Sequence, residues 1–374
     1  MKLLFSFVLT IIIFISCSKS DTSKSVNPNS KLYFPLNDGS EWETIDFLSL
    51  DWNDNALPNL YDHLETNGTR AFIVLKSGKI VLEKYWGNNI LNNSNFDINS
   101  MWYWASAGKT LTAALVGIAQ QDGYLNINDK TSDYLGKGWT SMSTEKEDLI
   151  TIKNQLTMTS GLNYNIPDLV CTEPLCLEYK SDAGTQWFYH NAPYTLLEEV
   201  VSNSTGINYN LYTDQKIESI IGMDGYWITS GFNNVYWSSA RDMARFGLLI
   251  LNKGNWNGIK ILHDENYYNQ MVNSSQDLNP SYGYLWWLNG KSSIIFPVLS
   301  ASFDISLSAN APSDLIVAMG KNGQFVDISP SQSLVVIRMG EAPNENALPI
   351  EFHDEMWEKL NLVRNRSEER RVGK

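Results

Sequence analysis

"YWASAGKTLTAALVGIAQQDG", residues 103–123, puts a serine and a lysine three apart where an amphipathic helix begins. Leu111, Ala114, Leu115 and Ile118 recur at the i, i+3, i+4, i+7 spacing of one buried face, and Gly123 supplies a stop. Ser106 and Lys109 are therefore expected in the first turn, where residues three apart share a face and the amine can approach the hydroxyl. A serine hydroxyl is a poor nucleophile until a base takes its proton, and a lysine accepts a proton only when neutral. The positive end of the helix dipole and burial against Trp102 and Trp104 would both disfavour the ammonium form. The pattern alone is weak. Ser-x-x-Lys recurs at Ser16/Lys19 and Ser143/Lys146, and a serine at a helix start also serves as a plain cap. Of the three, Ser106 alone opens an apolar helix.

Outward from this helix, "AFIVLKSGKIVLEKYWG" (71–87) predicts two strands around Ser77-Gly78, and "LIVAMG", "GQFVDIS" and "SLVVIRMG" predict short strands in the final third. The middle third reads as helices and loops. "NAPYTLLEEVVSNSTG" has Pro193 near a helix start and Gly206 as its stop, and Ser239 three residues before Asp242 forms an N-cap arrangement. "PIEFHDEMWEKLNLV" closes the chain as a helix with Phe352, Met356, Leu360 and Val363 on one face. Strands at both ends with helices between them predict an α+β fold, with one antiparallel sheet built from N- and C-terminal segments and flanked by helices. A mostly helical lobe is inserted in the middle, and the active site is expected where the lobes meet.

The 374 residues, 43% hydrophobic and 12% aromatic, suffice for a large core, and a formal charge of −13 excludes a nucleic-acid partner. Residues 1–17 carry Lys2 ahead of an apolar run too short to span a bilayer, which fits an export signal. Phe14, Ile15, Ser16 and Cys17 resemble the lipobox of bacterial lipoproteins, which implies lipidation of Cys17 and a membrane-anchored protein facing the periplasm or cell surface. Residues 18–40 would then be a flexible tether, 41–365 the folded domain, and the abruptly charged 366–374 a non-native tail. Cys171 and Cys176 are close enough in an exported chain to form a small disulfide, or remain a free pair. With four histidines and no HExxH or CxxC, no metal site is visible.

Three motifs in order carry a resemblance: Ser106-x-x-Lys109, then Tyr189-His190-Asn191, then Lys321-Asn322-Gly323. They resemble the serine β-lactamase and penicillin-binding-protein superfamily, most closely its class C β-lactamase and esterase branch. Tyr267-Tyr268-Asn269 and Lys76-Ser77-Gly78 are decoys by order and context. The segments "ITIKNQLTMTSGLNY", "VYWSSARDMARFGLLILNKGNWNGIKIL" and "SYGYLWWLN" extend the likeness to nearly the whole mature chain. The resemblance implies a β-lactamase/transpeptidase-like fold with Ser106 as nucleophile, Lys109 as base or proton relay, and Tyr189 passing a proton to the leaving group. It implies an oxyanion hole from the amides of Ser106 and Gln324. Asn191 would hold a substrate amide or position Lys109, while Lys321 and Gly323 would line the substrate edge.

Asn322 departs from the Thr or Ser of many relatives, and "GKNGQ" resembles the glycine-rich variants of the esterases and amide hydrolases. Both features weaken a β-lactamase reading while leaving acyl transfer intact. His190 suggests a Ser-His-Asp triad, but Trp104-Ala105-Ser106-Ala107-Gly108 lacks the G-x-S-x-G elbow. The aromatic clusters at 102–104 and 284–287 suit either core or a substrate cleft. The expectation is a monomeric serine hydrolase acting on a small-molecule or peptide substrate, without metal or organic cofactor. The alternatives are a penicillin-binding D-alanyl-D-alanine peptidase and a non-hydrolytic receptor.

Overall fold

The computed structural model describes residues 32–37, 41–346 and 348–365. The expected signal peptide with Cys17, and the tail from 366, lie outside the described residues. Of the expected tether, 32–37 is described, and it packs on the domain rather than standing free. Tyr33 N–H donates to the Ser77 carbonyl (3.0 Å), Phe34 meets Trp256 edge-on at 4.9 Å, and Arg245 donates to the Leu36 carbonyl (2.8 Å). The folded domain thus begins before residue 41.

Strands β1 (Thr69–Lys76) and β2 (Lys79–Tyr85) form the expected hairpin, with Ser77 and Gly78 at φ 52° and 85°. A side chain at Gly78 would meet the Tyr33 carbonyl oxygen at 1.9 Å, so glycine is required beneath that segment. In the middle of the chain, β3 (Trp102–Tyr103), β4 (Tyr226–Ser230) and β5 (Asn233–Ser238) form a small sheet in the order β3-β5-β4, and β6 (Asn255–Trp256) pairs with β7 (Ile259–Lys260). The β4–β5 hairpin is absent from the sequence expectation of helices and loops. β8 (Trp287–Leu288), β9 (Ile316–Gly320), β10 (Gln324–Ser329) and β11 (Leu334–Gly340) complete a six-stranded antiparallel sheet in the order β2-β1-β11-β10-β9-β8. The sheet is built from both ends of the chain, as the strand pattern predicts.

Alternation along β10 commits its two faces to different helices. Val326 faces the helix Ala240–Leu251, where a side chain at Gly247 would lie 2.6 Å from Val335 and 3.1 Å from Val326. Phe325 and Asp327 face the helix Ile350–Arg364: His353 meets Phe325 edge-on at 4.8 Å, and His353 and Trp357 both bond Asp327 (2.8 and 2.6 Å). Phe352, Met356, Leu360 and Val363 of that helix are all buried, as their spacing predicts.

The middle of the chain carries the expected helix-end devices. Ser239 and Asp242 form a complete capping box, and Gly206 (φ 70°) ends the helix Leu197–Thr205. Leu196 separates that helix from a short one, Asn191–Thr195, so the single helix expected there is two. A disulfide joins Cys171 to Cys176, with Cα atoms 5.9 Å apart. Among the described residues no helix is long and apolar enough to cross a membrane.

Candidate active site

Ser106 does not sit in the α-helix proper. Ala105 takes the left-handed conformation (φ 48°), a 3-10 turn runs over Ala105–Gly108, and the α-helix Lys109–Gln121 follows. Trp104 anchors the entry, donating its amide to the Tyr236 carbonyl and its indole N–H to Ser238 Oγ, both at 2.8 Å. The tight turn leaves Ser106 half-buried while Lys109 is 4% exposed, and Lys109 Nζ lies 3.1 Å from Ser106 Oγ. Burial pulls the Lys109 amine down to about 7, so a large share is neutral near pH 7. The rings against it are not the expected Trp102 and Trp104. The amine lies 4.1 Å from the ring centroid of Tyr194 and 5.2 Å from that of Tyr189. Trp102 instead donates to the Gly340 carbonyl (3.1 Å) as part of the framework.

Burial raises the Tyr189 phenol above the ordinary range and keeps it protonated, an effect that the nearby Ser106 hydroxyl partly offsets. The Tyr189 ring stacks on Trp287 (5.8 Å) and meets Tyr282 edge-on (6.2 Å), so the hydroxyl is delivered by a rigid aromatic wall. The structure therefore brings Ser106, Lys109 and Tyr189 together. Asn191 opens the next helix, and its buried Oδ1 has no hydrogen-bond partner. His190 is buried with neither ring nitrogen bonded, and burial holds it at about 4, neutral at pH 7. With no carboxylate bonded to that ring, a Ser-His-Asp arrangement is not built here.

Across from the Ser106 turn stands the β9–β10 connection, where Lys321 is exposed and Asn322 and Gly323 have φ 65° and 77°. Asn322 Nδ2 donates to the Tyr103 hydroxyl (2.8 Å), tying this turn to the strand that leads into Ser106. Gly323 faces Arg338, whose Nη1 would lie 2.7 Å from an added Cβ. Gln324 is fully buried opposite Gly320, and its side chain both donates to the Gly340 carbonyl (2.7 Å) and accepts from the Gly340 amide (3.0 Å). Gly320 is pressed on the Ser106 turn: a Cβ there would lie 2.3 Å from the Trp104 carbonyl oxygen and 3.1 Å from the Ala107 nitrogen.

Three residues of this neighbourhood escape the sequence reading: Tyr194, Gly320 and Arg338. Gly320 had a faint signal as the residue preceding Lys321-Asn322-Gly323. Tyr194 and Arg338 had none, since each acts through a contact distant in sequence. The decoys have structural roles instead. Tyr267 and Tyr268 donate to the carbonyls of Ala113 and Ile250 (2.7 and 2.6 Å), and Lys146 pairs with Asp182 (2.5 Å). The cluster 284–287 is core, with Trp286 fully buried. Among the described residues no group of His, Cys, Asp and Glu is placed to hold a metal ion.

The beta-lactamase family model matches residues 62–347. PbpX of Bacillus subtilis strain 168 is 26% identical over 181 residues, 46% of this chain and 43% of PbpX. The D-alanyl-D-alanine-carboxypeptidase/endopeptidase AmpH of Escherichia coli K12 is 24% identical over 167 residues, 41% of this chain and 43% of AmpH. The matched region thus spans less than half the length of these curated relatives. Among solved structures, a penicillin-binding protein homologue from Caulobacter crescentus superposes with TM-score 0.65 at 11% identity, covering 86% of this chain and 99% of that one. The penicillin binding protein of Bacillus halodurans gives 0.59 at 16%, covering 81% and 99%. At these identities the likeness is one of fold.

Proposed function

The chain belongs to the beta-lactamase family, and from that premise we propose that it is a serine hydrolase working through an acyl-enzyme on Ser106. The observation that carries the reading is the 3.1 Å approach of Lys109 Nζ to Ser106 Oγ by an amine that burial holds near neutrality. As Ser106 Oγ bonds to the carbonyl carbon of an ester or amide, its proton passes to Lys109. The Tyr189 phenol gives its proton to the departing alkoxide or amine and is recharged from Lys109. Water then attacks the acyl-enzyme along the reverse proton path and releases the acid. The amide of Ser106 and the turn that begins after Gly320 face the developing oxyanion. The amide of Gln324, which opens β10 just after that turn, is the second donor, and the two side-chain bonds of Gln324 to Gly340 fix the residue in place.

Ester or amide substrates are favoured over β-lactams, since Asn322 brings no hydroxyl for an antibiotic carboxylate and bonds Tyr103 instead. The likeness to AmpH supports a second reading, a D-alanyl peptidase. Incubation with p-nitrophenyl acetate, with a D-alanyl-D-alanine peptide and with a fluorescent penicillin separates them. Rapid ester turnover, lost in Ser106→Ala, is expected; a long-lived penicilloyl adduct without turnover of either substrate would instead favour a receptor.

A further inference from the structure

The Lys109 amine is surrounded by rings rather than charges. Besides Ser106 Oγ at 3.1 Å, it faces Tyr194 at 4.1 Å and Tyr189 at 5.2 Å, and among the described residues no carboxylate pairs with it. Asn191, expected to position the amine, leaves its Oδ1 unbonded. Tyr194, in contrast, is held at both ends. Its backbone belongs to the helix Asn191–Thr195, and its hydroxyl lies beside the side chain of Thr112, one turn beyond Lys109 on the same helix face. The Tyr209 hydroxyl donates to Thr112 Oγ1 (2.8 Å). One phenol thus spans the turn between Thr112 and Lys109 with its ring under the amine.

We propose that Tyr194 is a positioning residue for the Ser106–Lys109 pair: its ring face seats the amine against Ser106, and Thr112 beside its hydroxyl keeps the ring from turning away. The inference rests on the reading of Lys109 as proton acceptor. An aromatic face attracts the ammonium form, so the ring opposes the effect of burial and keeps the base from losing its affinity for protons. The other titratable groups nearby act on Tyr194 rather than on the amine. Tyr189 and Glu198 do so electrostatically, and Glu198 is itself bonded to Asn234.

The test uses the full chain and p-nitrophenyl acetate, with kcat/KM followed across pH. Tyr194→Phe keeps the ring, and progressively fluorinated phenylalanines at 194 keep its shape while draining the π face. The acid limb is expected to step toward lower pH along that series, by about one pH unit in total. Thr112→Val is expected to lower kcat severalfold with KM unchanged. Superimposable pH profiles across the fluorinated series would overturn the proposal, and wild-type kcat in Thr112→Val would overturn the tether. Wild-type turnover in Ser106→Ala would instead sink the underlying reading of the site, which keeps the two failures apart.

Discussion

Arg338 Nη1 lies 2.6 Å from the carbonyl oxygen of Asn322, so a fully buried guanidinium holds the turn that faces Ser106. The same side chain donates to the carbonyls of Gly323 (3.0 Å), Asn67 (2.8 Å) and Glu341 (2.8 Å) and to Thr69 Oγ1 (3.2 Å). All five acceptors are neutral, and burial pulls the guanidinium down to about 9. Removing it leaves those carbonyls without a donor. Arg338→Met is expected to cost about 3 kcal/mol in urea denaturation and to lower kcat more than it raises KM. Arg338→Lys should restore little, since an ammonium cannot span four carbonyls. A loss under about 1 kcal/mol would mean that water takes over the guanidinium's bonds.

Lys109 gives two opposite effects. Turnover of an activated ester should rise with pH through about 7 as the amine loses its proton. Lys109→Met should reduce kcat by roughly 10²–10⁴-fold. The folded-state pKa is depressed, so between it and the ordinary lysine value the unfolded chain binds more protons and stability rises with pH. Lys109→Met should therefore raise Tm at neutral pH, with the gain shrinking in alkali. Calorimetry showing no gain at pH 7 would contradict a buried, partly neutral amine.

Gly320→Ala inserts a methyl against the Trp104 carbonyl oxygen, where backbone rather than a flexible side chain must yield. Displacing the Ser106 turn by a fraction of an ångström is expected to lower kcat about 100-fold. Circular dichroism and urea titration should show the fold intact. Unchanged turnover would mean that β9 can retreat without disturbing Ser106.

Glu218 sits behind the same turn, bonded to the Tyr236 hydroxyl, and Tyr236 packs edge-on against Trp104 at 4.9 Å. Burial raises Glu218 to about 7, and Asp242 to about 6. For these acids the folded chain binds more protons than the unfolded one above the ordinary carboxylate range. Stability should accordingly fall as pH rises from about 5 to about 7. Glu218→Gln, which stays neutral, should flatten that slope in Tm measured against pH. An equally steep slope in the variant would assign it to other groups.

The large sheet was legible because β1, β2, β9, β10 and β11 are apolar, β-branched runs punctuated by glycine. The helices Ala240–Leu251 and Ile350–Arg364 were legible through a capping box and a buried stripe. The β4–β5 hairpin was not, since "YWITSGFNNVYWS" is mostly exposed on β4 and lacks clean alternation. Ser106 and Lys109 could be found because their spacing is local. The 3-10 turn that carries Ser106 depends on Ala105 adopting a positive φ, which an alanine does not announce. The roles of Tyr194 and Arg338 depend on which distant backbone arrives beside them, and no local pattern encodes that.

The register Thr69↔Gly340 makes immediate neighbours of residues from opposite ends of the domain. Pairing β1 with β11 must wait until almost all of this domain has been synthesised, and the entropy of closing so long a loop is met before the contact returns anything. Until then β1 and β2 form a ribbon with one open edge, a template for association with other nascent chains. A product terminated ahead of Leu334 would keep every motif residue of the site and still never close its sheet.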